Sequence, residues 1–143
     1  MNLQQFFTET LNNNGASYSI LTGELNPTNG YFVSLANKGI TVDLSDFNQK
    51  VVADYISQNA IQLNQAKYFV GSWIDNGVVY LDVTVQVADK RNALELAYNN
   101  GQQAIYDANV GEVIDLPSPQ RSGTFTQQKA YLTQVIDRLC LTN

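Results

Sequence analysis

The chain contains no histidine and one cysteine, Cys140. Without an imidazole, Ser-His-Asp and Cys-His catalytic pairs and most zinc sites are excluded. A single thiol rules out an internal disulfide and fits a reducing compartment. Charge is scarce as well: charged residues make up 15% of 143 residues, against about 25% in ordinary globular chains. Asn and Gln replace them, at roughly a fifth of the sequence. They are interspersed with Val, Ile, Leu, Phe and Tyr, which is the pattern of an ordered fold with an amide-rich surface.

Long apolar runs are missing too, since nothing approaches the ~18–20 residues of a membrane span. Met1 to Asn14 has neither the basic start nor the apolar stretch of a signal peptide. A net charge of −5 and a pI near 4.4 argue against a phosphate-binding surface, and so against a nucleic-acid partner. There is no P-loop and no dinucleotide-binding glycine fingerprint, and Gly71-Ser72-Trp73 lacks the second glycine of a nucleophile elbow. These absences lead us to expect a cytoplasmic protein that is not an enzyme, needs no cofactor or metal, and contacts neither membrane nor nucleic acid.

What is present is a hydrophobic share of 44% in a chain of single-domain length. The patterning predicts one α+β domain over 1–143, with antiparallel hairpins at about 31–44, 67–88 and 104–116. Helices are predicted at about 2–13, 45–65, 89–100 and 124–141, with a linker at 117–123. Leu3, Phe6, Phe7, Thr10 and Leu11 set the first helix, closed by Gly15 as its left-handed stop. Tyr18 to Leu21 reads as a short strand. Ser45 is expected to cap the stripe Phe47, Val51, Val52, Tyr55, Ile56, Ala60 and Leu63. Asp89 caps the next helix, and Thr124 with Gln127 forms a capping box for the last.

The three turns differ in kind. Asn76-Gly77 is the signal for a two-residue type I′ hairpin. Asn37-Lys38-Gly39 and Asn109-Val110-Gly111 both fit a three-residue turn with a glycine bulge. The first of these would pair Phe32 with Leu44, Ser34 with Val42 and Ala36 with Ile40. The echo between Ala36–Leu44 and Ala108–Leu116 then reflects shared turn chemistry rather than duplication.

Candidate chemistry is thin. Asp75, Asp82, Asp89, Asp107, Glu112 and Asp115 are the carboxylates that could hold Mg²⁺ or move a proton, but all except Asp82 fall in turns or caps, where carboxylates are usually structural. Cys140 sits near a helix C-terminus, where a small buried thiol is expected. The hairpin register offers more. It places Tyr68, Val70, Ser72 and Ile74 with Val79, Leu81, Val83 and Val85 on a core face. The opposite face pairs Trp73 with Tyr80, Gly71 with Asp82 and Phe69 with Thr84. Phe69, Gly71, Trp73, Tyr80 and Asp82 thus form a candidate partner-binding surface, aromatic at its centre. The other reading is that a terminal helix covers this face.

From Tyr68 to Ile114 the sequence resembles small uncharacterised proteins encoded by bacteriophages and other mobile elements. The resemblance rests on a Gly-Ser-Trp…Asp-x-Gly…Val-Tyr-Leu-Asp-Val hairpin (71–83), an Asp-capped helix and the hairpin around Ala104-Ile-Tyr-Asp107. It implies a phage or bacterial setting and brings no known activity with it. The resulting expectation is an accessory protein acting by protein–protein binding, for instance as an inhibitor of a host defence complex. The alternatives are a structural homo-oligomer and a histidine-free enzyme using Asp and Mg²⁺.

Overall fold

A computed structural model describes residues 3–117 and 125–141. They form an α+β fold with five α-helices and seven strands, and every strand pairing below is antiparallel. The chain divides into two compact units, Met1–Pro27 with Ser34–Gln86, and Thr28–Val33 with Val87–Asn143.

The first unit opens with helix α1, Leu3–Asn13, and strand β1, Gly15–Tyr18. The strand ends where the expected Tyr18–Leu21 strand begins, and Ile20 and Leu21 turn instead. The left-handed stop is Asn14, with φ +59°, which leaves Gly15 free to open β1. Strands β4, Tyr68–Asp75, and β5, Val78–Val87, form the predicted 67–88 hairpin. Asn76 and Gly77 both have positive φ, +50° and +75°, as a type I′ turn requires. The register is the one the sequence specified, from Tyr68 opposite Val85 to Asp75 opposite Val78.

The expected 31–44 hairpin does not form. Strand β2, Tyr31–Ser34, pairs Phe32 with Tyr106, and strand β3, Ile40–Asp43, pairs Ile40 with Leu81 and Val42 with Val79. The Leu35 N–H donates to Val83 O at 2.9 Å, so the chain runs along the edge of β5 instead of folding back. The reason lies in the turn. Asn37 takes the left-handed conformation at φ +62°, and Gly39 does not. Gly39 instead lies close against Asp82: a Cβ on it would stand 2.6 Å from Asp82 Oδ1, so a larger residue would make that carboxylate shift. In the matching Asn109-Val110-Gly111 turn, Gly111 does take φ +73°. The two look-alike segments therefore do not share turn chemistry.

Helix α2 runs Gln49–Gln58 and helix α3 runs Ala60–Leu63, in place of one helix over 45–65. Ser45 lies in a short 3-10 turn, Leu44–Asp46, and the cap is Asn48, whose side chain accepts from Val51 N at 3.0 Å. Asn59 breaks the run: its Nδ2 donates to Tyr55 O at 2.9 Å, a local bond that competes with the helix ladder. Phe6, Tyr18, Val52, Tyr55, Ile56, Leu63, Val70, Val79, Leu81 and Val83 make up the core of this unit. Helices thus cover the Val79/Leu81/Val83 face of the hairpin.

In the second unit, β2 pairs with β6, Ala104–Asp107, which pairs with β7, Glu112–Asp115, completing the predicted 104–116 hairpin. Helix α4, Lys90–Asn99, carries its predicted cap: Asp89 accepts from Asn92 N at 2.9 Å. It lies against β6 and against helix α5, Phe125–Leu141, where Arg91 pairs with Asp137. The Thr124 cap and, apart from Pro117, the 117–123 linker fall outside the described residues. No helix among the described residues is long and apolar enough to cross a membrane.

Candidate functional site

Alternation along β4 and β5 sends Trp73, Gly71 and Phe69, with Tyr80, Asp82 and Thr84, to the face away from α1 and α2. β1 and β3 extend the face sideways. Gly15 lies beside Trp73 and Ser17 beside Gly71, while Thr41 lies beside Tyr80 and Asp43 beside Val78. The central row is therefore Gly15, Trp73, Tyr80, Thr41, crossing four strands.

The five candidate residues divide by exposure. Trp73 is 57% exposed, a high value for the only tryptophan of the chain. Its ring centroid is 5.5 Å from that of Tyr80 at an interplanar angle of 33°, a tilted arrangement within the range of favourable aromatic pairs. Tyr80 and Asp82 are half-buried. Phe69 is buried, and so is Gly71, where a Cβ would meet the Thr84 methyl at 3.1 Å. The space left by Gly71 is thus used by Thr84, whose hydroxyl donates to Phe69 O at 3.4 Å. Phe69 and Gly71 share the face of Trp73 but are buried with Thr84, so that end of the expected surface is covered, and only Trp73, Tyr80 and Asp82 of the five reach solvent.

The neighbours of Asp82 in the 31–44 segment were not legible in the sequence, because the hairpin expected there does not form. Gly39 closes against one carboxylate oxygen, as above. The Ser34 hydroxyl donates to Asp82, which lowers its pKa, but burial outweighs this and holds the carboxyl above its ordinary 3.8. Close by, Tyr55 rises from the core and donates its hydroxyl to Lys38 O at 2.6 Å. Burial, helped by the charge of Asp82, keeps that phenol protonated well beyond its usual range.

This gives a pH prediction. With its folded pKa raised, ionised Asp82 works against the fold: its contribution is fully present below the unfolded value and is lost as pH rises through the folded one. Asp82→Asn keeps an acceptor for Ser34 and removes the charge. It is expected to melt above wild type at pH 7, with the gap closing as pH falls below 3.8. Paired thermal melts across that range check this, and a variant that melts lower at pH 7 contradicts it.

Two of the other candidate carboxylates have local structural partners. Asp89 caps α4, and Asp107 Oδ1 accepts from both N and Nδ2 of Asn109 at 3.0 Å, tying the β6–β7 turn. No group of three or more Asp, Glu, Cys or His side chains is placed to hold a metal ion among the described residues. Cys140 is half-buried on α5. Tyr106 and Val113, paired across β6 and β7, are 43% and 63% exposed and form a smaller apolar patch in the second unit. The chain matches no family model, no curated protein and no solved structure.

Proposed function

We propose that the chain is a binding module that docks a protein partner on the Trp73–Tyr80 face and performs no chemistry of its own. The observation that carries this reading is the exposed tryptophan, in tilted contact with a tyrosine on a four-stranded platform. Tryptophan and tyrosine are the side chains that dominate interface hot spots, since they bring large area at small entropic cost. The lack of histidine supports a non-catalytic role. Binding of this kind suits an accessory protein of a phage or mobile element that blocks a host defence complex, the setting that the resemblance over Tyr68–Ile114 favours.

Self-association through this face is the weaker reading. A two-fold contact sets the patch against itself, so the acids of one copy would face a patch with the same acids and no lysine or arginine on its strands, and like charges across an interface cost several kcal/mol. Affinity capture from a bacterial lysate with wild type beside Trp73→Ala/Tyr80→Ala tests the proposal. A protein held by wild type and lost by the still-folded double variant is expected. Equal capture by both contradicts it.

A further inference from the structure

Charge around the aromatic pair narrows the class of partner, an inference that rests on the docking role just proposed. Asp75 lies two residues from Trp73 on β4, Asp82 two residues from Tyr80 on β5, and Asp43 two residues from Thr41 on β3. Since side chains two apart share a face, all three carboxylates stand on the side of the two rings. Asp43 and Asp75 flank Val78 from its two neighbouring strands and are exposed. Asp82 borders the rings at the other end and is half-buried. Against these acids, β1, β3, β4 and β5 contain no lysine or arginine.

We infer that the occupant of this face is a cationic protein segment, with an arginine or lysine laid over the Trp73–Tyr80 rings and paired with the flanking carboxylates. The faces of Trp and Tyr rings attract cations, and arginine stacks on them while its guanidinium hydrogen-bonds to carboxylate. An acidic or phosphate-bearing partner meets three carboxylates and no balancing cation on these strands. A second copy of the chain brings the same three acids. A basic segment alone complements both the rings and the charge.

As the chain's sole tryptophan, Trp73 reports binding through its own fluorescence. The probe is acetyl-Gly-Arg-Gly-Arg-Gly-Arg-amide, titrated beside the same peptide with Glu or Gln in place of Arg. The arginine peptide is expected to change Trp73 emission saturably, with affinity falling as salt rises, while the Glu peptide leaves it unchanged. Asp43→Asn/Asp75→Asn, both exposed positions, is expected to weaken binding about threefold to tenfold. The charge inference is overturned if the Arg peptide acts no more strongly than the Gln or Glu peptide, or if the double Asn variant binds it as wild type does. The docking role fails separately, if capture of a partner survives Trp73→Ala/Tyr80→Ala.

Discussion

Leu81→Ala is expected to destabilise the fold by about 3 kcal/mol, in the range for emptying a buried leucine site. Trp73→Ala, though it removes a larger side chain, is expected to cost only about 1 kcal/mol, the scale of a cross-strand pair. Leu81 sits opposite Ser72 and Trp73 opposite Tyr80, one step apart along the same hairpin. The difference lies in the face. Leu81 is 0% exposed among Val52, Tyr55, Ile56 and Val79, whereas Trp73 is 57% exposed. For a chain of this size the leucine substitution should lower Tm by roughly 10 °C and the tryptophan substitution by a few degrees. Equal losses would mean that both faces of the hairpin are core, with nothing left to offer a partner.

The second large effect is on association. Removing both Trp73 and Tyr80 is expected to weaken partner binding by about 3 kcal/mol or more, over a hundredfold in Kd, since central aromatic hot spots commonly cost about 2 kcal/mol each and do not add simply. The same double variant should lose no more than about 2 kcal/mol of fold stability, from one aromatic pair and the part of Tyr80 that is covered. Isothermal titration against the captured partner, with melts of the same preparations, separates the two quantities. Unchanged affinity would place the interface elsewhere, and the exposed Tyr106–Val113 pair would be the next surface to examine.

The parts of this architecture that could be read from sequence are those determined by neighbouring residues. Asn76-Gly77 sets a type I′ turn, the turn sets the register, and the register assigns every side chain from Tyr68 to Val85 to a face. Asp89 capping α4 is equally local. The partner of β3 was not legible. Ile40 and Val42 alternate in a way that fits any apolar strand, and Asn37-Lys38-Gly39 looks the same as a hairpin turn. The path follows pairing with β5, where Ile40 meets Leu81, about forty positions away in sequence. For that reason Gly39, Ser34 and Tyr55 around Asp82 also went unseen, along with Thr41 and Asp43 beside the aromatic pair. The exposure of Trp73 depends on which elements cover the sheet, so the sequence left it open.

Trp73 is open to solvent in the free protein, and docking on its face would cover it. Acrylamide quenching of its fluorescence tests this most directly, since no other tryptophan contributes. In the free monomer the account predicts red-shifted emission, quenched nearly as readily as a tryptophan in a short peptide, with the quenching strongly reduced once the partner is bound. Blue-shifted emission that resists acrylamide in the free monomer would show a buried ring and contradict the account.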